Sequence, residues 1–426
     1  MIQSDRMSGF FDEPLETMTP ELRRARQRSL IRKLLDYVSE RSTAYRRKFA
    51  RAGVDPRAVV EFEDLPSLPL TRRGEIIESL KAEPPFGGFC CLRPEEIRTV
   101  FVSPGPMFHP VADYEAEGML RARAAYACGL RPGDMVLITF AFNMVPAGYR
   151  SELTLRSLGC AAIPSGPGNT DVQVDILKGL PVKGYIGTPS FLNAIGKRAV
   201  ERGLDPRRDF RLEAAQCTAE MLPESLRADL QEQFGMTVRQ TFAIADAGLV
   251  AYECPAARGM HLVDEVIIEI CDVGTGRHVP PGEVGEIVVS VFRPDMPMVR
   301  FATGDLTYVT EEQCPCGRTA PRLVRIVGRA DQVTKVRGMF VHPAEVDGVM
   351  ARFPGIKGWR MTVTREGHQD QLTCTVEVEG EAEEGFASRL TEALRDRIKV
   401  RADVRIVPPD TIPPGAKKIE DRRVWE

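Results

Sequence analysis

Three cysteines and one histidine stand in a pattern that could hold a metal. Cys254 is followed after six residues by His261, and later by Cys314-Pro315-Cys316-Gly317. Thiolates and an imidazole form a soft Cys₃His set, which suits zinc in a closed tetrahedral site with no position left for water. The tight Cys-Pro-Cys-Gly knuckle lets both thiolates face one ion. The alternative is a group of buried cysteines beside a hydrogen-bonded core histidine, and the remaining cysteines read as core fillers. A second constellation is Arg300-Phe301-Ala302-Thr303-Gly304-Asp305, followed by Gly328-Arg329-Ala330-Asp331. An ionised aspartate is acceptor-only, but Thr-Gly-Asp by itself is an ordinary turn, because Asp after Gly readily binds its own backbone. Near the end, Lys417 and Lys418 are adjacent cations. Either could neutralise charge developing on a reacting group, or both could be solvated tail residues.

The elements that must position these residues alternate in type. Residues from Pro20 to about Arg51 show helical apolar spacing at Leu30, Ile31, Leu34, Leu35 and Val38. Residues 61–130 mix short helices with turns marked by Pro and Gly. From about 135, Met135–Ile138, Cys160–Ile163 and Val182–Ile186 read as strands, with helices at Glu152–Leu158 and Asp171–Lys178 between them. This alternation predicts a parallel sheet covered on both faces. After about 260 the texture changes. Val266–Ile270 and Gly285–Val291, joined by Gly- and Pro-rich turns, predict a mostly antiparallel section. A smaller unit begins after Gly328. It holds a strictly alternating strand at Leu372–Glu379, an amphipathic helix over 382–398 and a final strand at Val404–Val407. The expectation is an α/β chain with a large N-terminal domain, 1–328, and a small α+β C-terminal domain, 329–426.

Composition narrows the function classes. The chain has 426 residues, 43% apolar and 27% charged, with a net charge of −3 and interspersed signs. No basic stripe offers itself to a phosphate backbone, so nucleic acid is not an expected partner. No segment approaches a membrane span and the start lacks a signal-like apolar run, while ten cysteines at irregular spacing suit a reducing compartment. The expected location is the cytoplasm.

The stretch from Arg300 to Pro343 resembles the ribose-binding and hinge motifs of adenylate-forming enzymes, in the right order. Within that class the chain resembles the phenylacetate–coenzyme A ligase family over nearly its whole length. The likeness includes Tyr45-Arg46-Arg47-Lys48-Phe49, Leu65-Pro66-Ser67-Leu68-Pro69, the Ile163–Thr170 loop and Ala219-Glu220-Met221-Leu222-Pro223. The resemblance implies an AMP-forming ligase joining an aryl, phenylacetate-like acid to coenzyme A, with ATP and Mg²⁺ required. It implies that Asp305 binds the AMP ribose with support from Arg329, and that the C-terminal domain turns about Asp331. Glu220 and Phe242 would lie at the nucleotide, and Asp246, where relatives carry glutamate, would help hold magnesium. One of Lys417 and Lys418, with Lys417 preferred, would be the C-terminal catalytic lysine. Phe142, Met144 and Ala243 would wall the acyl pocket. The same likeness supports the zinc set and allows a homodimer.

One segment departs from the pattern. The phosphate loop of adenylate-forming enzymes is rich in Ser, Thr and Gly and ends in Lys-Pro, whereas here it reads Ser103-Pro104-Gly105-Pro106-Met107-Phe108-His109-Pro110. Ser103, Gly105 and Pro110 match. The threonines and lysine are missing, and two prolines have no N–H to donate. Either protonated His109 supplies the lost charge, or the segment is structural and ATP is held elsewhere. An adenylyltransferase that forms no thioester, and a weakened nucleotide-binding homologue, remain alternative readings.

Overall fold

The computed structural model describes residues 6–103, 107–112, 116–330, 334–337, 339–341, 343–366, 369–380, 382–413 and 416–423. They form two compact units. One comprises Met1–Leu222 with Arg227–Gly328, and the other Pro223–Leu226 with Arg329–Glu426. No helix among the described residues is long and apolar enough to cross a membrane.

In the large unit one sheet changes character along its width. Ala161–Pro164, Met135–Ile138, Val182–Gly187, Ala214–Cys217 and Thr237–Ile244 lie side by side and parallel. Beyond them come Gly248–Glu253, Met260–Leu262, Arg322–Arg329, Met298–Thr310, Gly285–Val291 and Val266–Cys271, and every register resolved among these is antiparallel. The parallel half follows the predicted strand–helix alternation, with helices Ala147–Leu158, Thr170–Gly179 and Pro189–Glu201 as crossovers. Leu153, Leu155 and Leu158 on the first of these are buried, as an amphipathic covering helix requires.

Four elements differ from expectation. The long N-terminal helix is two, Pro20–Arg41 and Thr43–Ala52. Ser42 separates them in an extended conformation; its hydroxyl accepts from Tyr45 N–H and donates to Gly88 O at 2.8 Å, so an N-cap interrupts an otherwise continuous apolar stripe. Thr303-Gly304-Asp305 is not a loop but lies within the thirteen-residue strand Met298–Thr310. Thr99–Ser103 pairs antiparallel with Met107–Val111, although Pro110 lies in the second strand. Finally, Val404–Val407 belongs to the strand Asp403–Val407 but is not the last, because Ile419–Asp421 follows.

The small unit is a four-stranded sheet in the order Asp403–Val407, Gln369–Val378, Ile356–Glu366, Ile419–Asp421, antiparallel in the centre and parallel at both edges. Leu372, Cys374 and Val376 are buried, while Thr373 and Thr375 between them are half-buried, which fulfils the predicted alternation. Helix Phe386–Ile398 buries Phe386, Leu390, Leu394 and Ile398 at four-residue spacing. Each leucine or isoleucine so enclosed contributes about 1.5–3 kcal/mol.

Candidate active site

A two-residue strand sets the site. Thr71–Arg72 pairs in parallel with the long strand Met298–Thr310, Thr71 opposite Phe301 and Arg72 opposite Ala302. The chain therefore leaves this strand at Arg73 alongside Thr303, two residues before Asp305, and begins the helix Arg73–Ala82. Around Thr303, short bonds fix the backbone. Thr303 donates to Ile287 O at 2.8 Å and accepts from Asp305 N–H at 3.1 Å, and Gly304 N–H donates to the buried Glu286 carboxylate at 2.9 Å. Asp305 itself is half-buried.

Arg73 links this strand to two other segments. Its guanidinium donates to Asp246 Oδ2 at 3.2 Å and to Ser103 Oγ at 3.3 Å. Ser103 Oγ lies 2.8 Å from His109 Nε2 across the paired strands, and the same nitrogen is 3.6 Å from Asp246 Oδ1. Asp246, 1% exposed, follows the strand Thr237–Ile244, and its Oδ1 has no hydrogen-bond partner. Behind it, Arg150 donates to Ala245 O and pairs with Glu117 at 3.3 Å, while Arg293 pairs with Asp295 at 3.0 Å.

Burial raises the Asp246 carboxyl above its ordinary range, with Arg73, Arg293 and Arg150 opposing. For His109 all causes agree: burial first, then Arg293, Arg150 and Arg73, push the imidazole down to about 3. These surroundings weigh against the reading in which a protonated His109 replaces a lysine, and favour the one in which the segment is structural. Ser103, His109 and Asp246 do not make a hydrolytic triad either. Serine and aspartate face one ring nitrogen, and so weakly basic an imidazole is a poor general base.

The other expected residues fall as follows. Phe242 is half-buried on the strand leading to Asp246. Glu220 follows the strand Ala214–Cys217, and its carboxylate accepts from Ser190 N–H at 3.4 Å, in the first turn of helix Pro189–Glu201. Glu220 and Asp246 thus both follow the carboxyl ends of parallel strands, where open α/β sheets bind ligands. Phe142 packs edge-on against Tyr149, which also meets Phe101. Met144, 64% exposed, and the exposed Ala243 are not enclosed walls. Arg329 ends the strand Arg322–Arg329, while Gly105 and Asp331 lie outside the described residues. In the small unit Lys418 is engaged by Asp347 at 2.5 Å and lies 4.6 Å over the Trp359 ring; Lys417 is exposed. Arg73, Arg150 and Arg293 escaped the sequence reading, since nothing marks them among the chain's many arginines.

Cys254, His261, Cys314 and Cys316 do converge, with their ligand atoms all within 4.8 Å of one another. The Cys254 and Cys314 sulfurs are 3.7 Å apart, and Cys316 Sγ is 3.5 Å from His261 Nε2. A tetrahedral zinc at ordinary bond lengths sets sulfurs about 3.8 Å apart and sulfur about 3.6 Å from nitrogen, so the set fits the ion. His261 Nδ1 is 3.0 Å from Ala320 O. With that nitrogen donating, Nε2 is left to face the thiols. The Cys316 thiol is held well below its ordinary value, first by the hydrogen bond from Cys254, with burial opposing and His261 adding. Cys316, with Pro315 and Arg318, borders a cavity of about 320 Å³.

Residues 338–425 match the family model described as AMP-binding enzyme C-terminal domain. The fold also matches 2-hydroxyisobutyryl-CoA ligase, solved with its acyl-adenylate and coenzyme A, with a TM-score of 0.88 at 28% identity over 97% of this chain and 92% of that one. Sheet, small unit and site together define an adenylate-forming enzyme. Among curated relatives, the phenylacetate-coenzyme A ligase of Thermus thermophilus is 32% identical over 408 residues, 93% of this chain and 89% of the relative. That of Aromatoleum evansii is 27% identical over 97% and 98%. The chain belongs to the phenylacetate–coenzyme A ligase family and is an AMP-forming acid–thiol ligase.

Proposed function

We propose that this ligase activates an aryl, phenylacetate-like carboxylic acid with ATP and transfers it to coenzyme A. The acid's carboxylate attacks the α-phosphorus and displaces pyrophosphate. The thiol of coenzyme A then attacks the acyl carbonyl, giving up its proton as AMP leaves. Asp305 accepts from the ribose hydroxyls with Arg329 beside it in sequence order, and Glu220 and Phe242 flank the nucleotide. Lys417 neutralises charge on the reacting phosphate, because Lys418 is already committed to Asp347 and Trp359. Asp331 is the pivot between half-reactions. The zinc set staples the antiparallel part of the sheet. Magnesium enters on the phosphates of ATP. Asp246, whose Oδ2 accepts from Arg73, is the carboxylate that would help hold it together with those phosphates.

The observation that carries this reading is the register that brings Arg73, and through it Asp246 and Ser103, beside the Thr303–Asp305 segment. For the acid, the support is the aromatic packing of Phe101, Phe142 and Tyr149 and the names of the family relatives. ATP–pyrophosphate exchange over a panel of phenylacetate, benzoate, short alkanoates and 2-hydroxyisobutyrate tests it, with the thioester detected by mass spectrometry. Exchange and thioester with the aryl acids are expected. Turnover confined to the aliphatic acids, or exchange without thioester, refutes the assignment.

A further inference from the structure

We propose that the buried carboxylate of Glu286 is a positioning residue for recognition of the ribose hydroxyls: it sets the place of Asp305 without itself touching the nucleotide. The inference rests on the reading of Asp305 as the ribose acceptor and goes beyond it, to what aims that acceptor.

Asp305 does not sit in a regular ladder. Between Gly285–Val291 and Met298–Thr310, Glu286 stands opposite Leu306 and Val288 opposite Ala302. Ile287 alone therefore faces Thr303, Gly304 and Asp305 together. The longer side bulges, a device that re-aims a side chain beside a site and leaves the ladder locally broken. Other groups must then hold the bulged backbone. Gly304 takes the left-handed turn, with a φ of 81°, which a residue without Cβ adopts at little cost. Thr303 clasps one side by donating to Ile287 O at 2.8 Å. On the other side, the N–H of buried Gly304 donates to Glu286 Oε1 at 2.9 Å.

Glu286 suits that task. It is 1% exposed, and an ionised acceptor makes the stronger class of bond to an N–H. Arg72, 3.5 Å away and placed opposite Ala302 by the parallel pairing, balances its charge. The carboxylate thus ties its own strand, the strand of Asp305 and Thr71–Arg72 together at the residue just before Asp305. Removing it takes the acceptor from a buried N–H, which is costly. Gly304 is free to relieve that cost by rotating, and Asp305 turns with it.

The test is calorimetric binding of AMP and of 2′,3′-dideoxy-AMP, which lacks both ribose hydroxyls, to the full chain, Glu286→Met and Glu286→Gln. The parent should prefer AMP by about tenfold to a hundredfold, the worth of hydrogen bonds to an ionised carboxylate. Glu286→Met, similar in length but without a strong acceptor, should hold dideoxy-AMP within about twofold of the parent and lose most of the preference for AMP. Glu286→Gln, whose amide oxygen still accepts from Gly304 N–H, should regain it. General damage to the fold weakens both ligands together. That result, or an undiminished preference in Glu286→Met, overturns the proposal. A parent that binds AMP and dideoxy-AMP alike would instead remove Asp305 from the ribose site, the reading beneath. If Glu286→Met does not fold, Glu286→Asp decides, since it keeps the charge but withdraws the acceptor by one methylene. Its preference for AMP should fall, and a preference equal to the parent's overturns the assignment.

Discussion

His109 allows a prediction with its magnitude fixed in advance. The ring is enclosed, hydrogen-bonded to Ser103, and surrounded by Arg73, Arg150 and Arg293. Unfolded, it regains an ordinary value near 6.5; folded, it stays neutral down to about 3. Between those two values the unfolded chain binds a proton that the folded chain refuses, so stability rises with pH across that window and is lost as pH falls through it. Lowering the pH from 8 to 5 should therefore cost about 2 kcal/mol through this one residue. Urea denaturation at both pH values measures it, with His109→Asn as the reference. The variant should show a pH-dependent loss smaller than the parent's by that amount. The chain has five histidines, so the resonance missing from the variant's spectrum identifies His109 by NMR. A His109 resonance titrating near 6.5, or identical pH dependence in parent and variant, would refute the account of the arginine-ringed pocket.

Three further outcomes are expected. Chelator-washed protein should retain about one zinc per chain, and Cys316→Ser should release it; metal-free protein with an unchanged melting temperature would return the four residues to ordinary core. Asp305→Ala should weaken AMP at least about tenfold by calorimetry, the worth of a hydrogen bond to an ionised carboxylate, and unaltered affinity would remove Asp305 from the ribose site. Lys417→Ala should slow adenylation while leaving AMP affinity intact. Lys418→Ala should chiefly lower the thermal stability of the small unit, through loss of the Asp347 pair and the Trp359 contact, and the reverse pattern would exchange the two lysines.

Much of the scaffold was legible because it obeys simple periods. The parallel strands and their helices, the alternating strand Gln369–Val378 and the helix Phe386–Ile398 announce themselves by spacing of apolar residues. The cysteine set was legible because soft ligands at knuckle spacing have few other uses. What escaped were features made by tertiary pairing. Thr71–Arg72 is too short to show a period, and its partner lies some 230 residues away. Arg73 sits in a polar stretch, Thr71-Arg72-Arg73-Gly74-Glu75, that reads as surface. The pairing of Thr99–Ser103 with Met107–Val111 was hidden by the prolines in and between these segments, which argue against strands even though Pro110 pairs with Val100. The choice between a protonated His109 and a structural segment stayed open in the sequence, since burial among arginines is invisible in a one-dimensional reading.

That brief parallel contact has a temporal side. Tyr45, Leu68 and Thr71 also bond directly to the backbone or side chain of Val299 and Arg300. On a ribosome adding about 5–20 residues per second, the early segment waits on the order of ten to fifty seconds for its partner strand to be made. Until then neither the arginine fork nor the aspartate it faces has a fixed place. A nascent or truncated chain ending before the strand Met298–Thr310 would hold Arg73, Ser103 and Asp246 without the strand that sets their place, and would leave apolar edges for chaperones to shield.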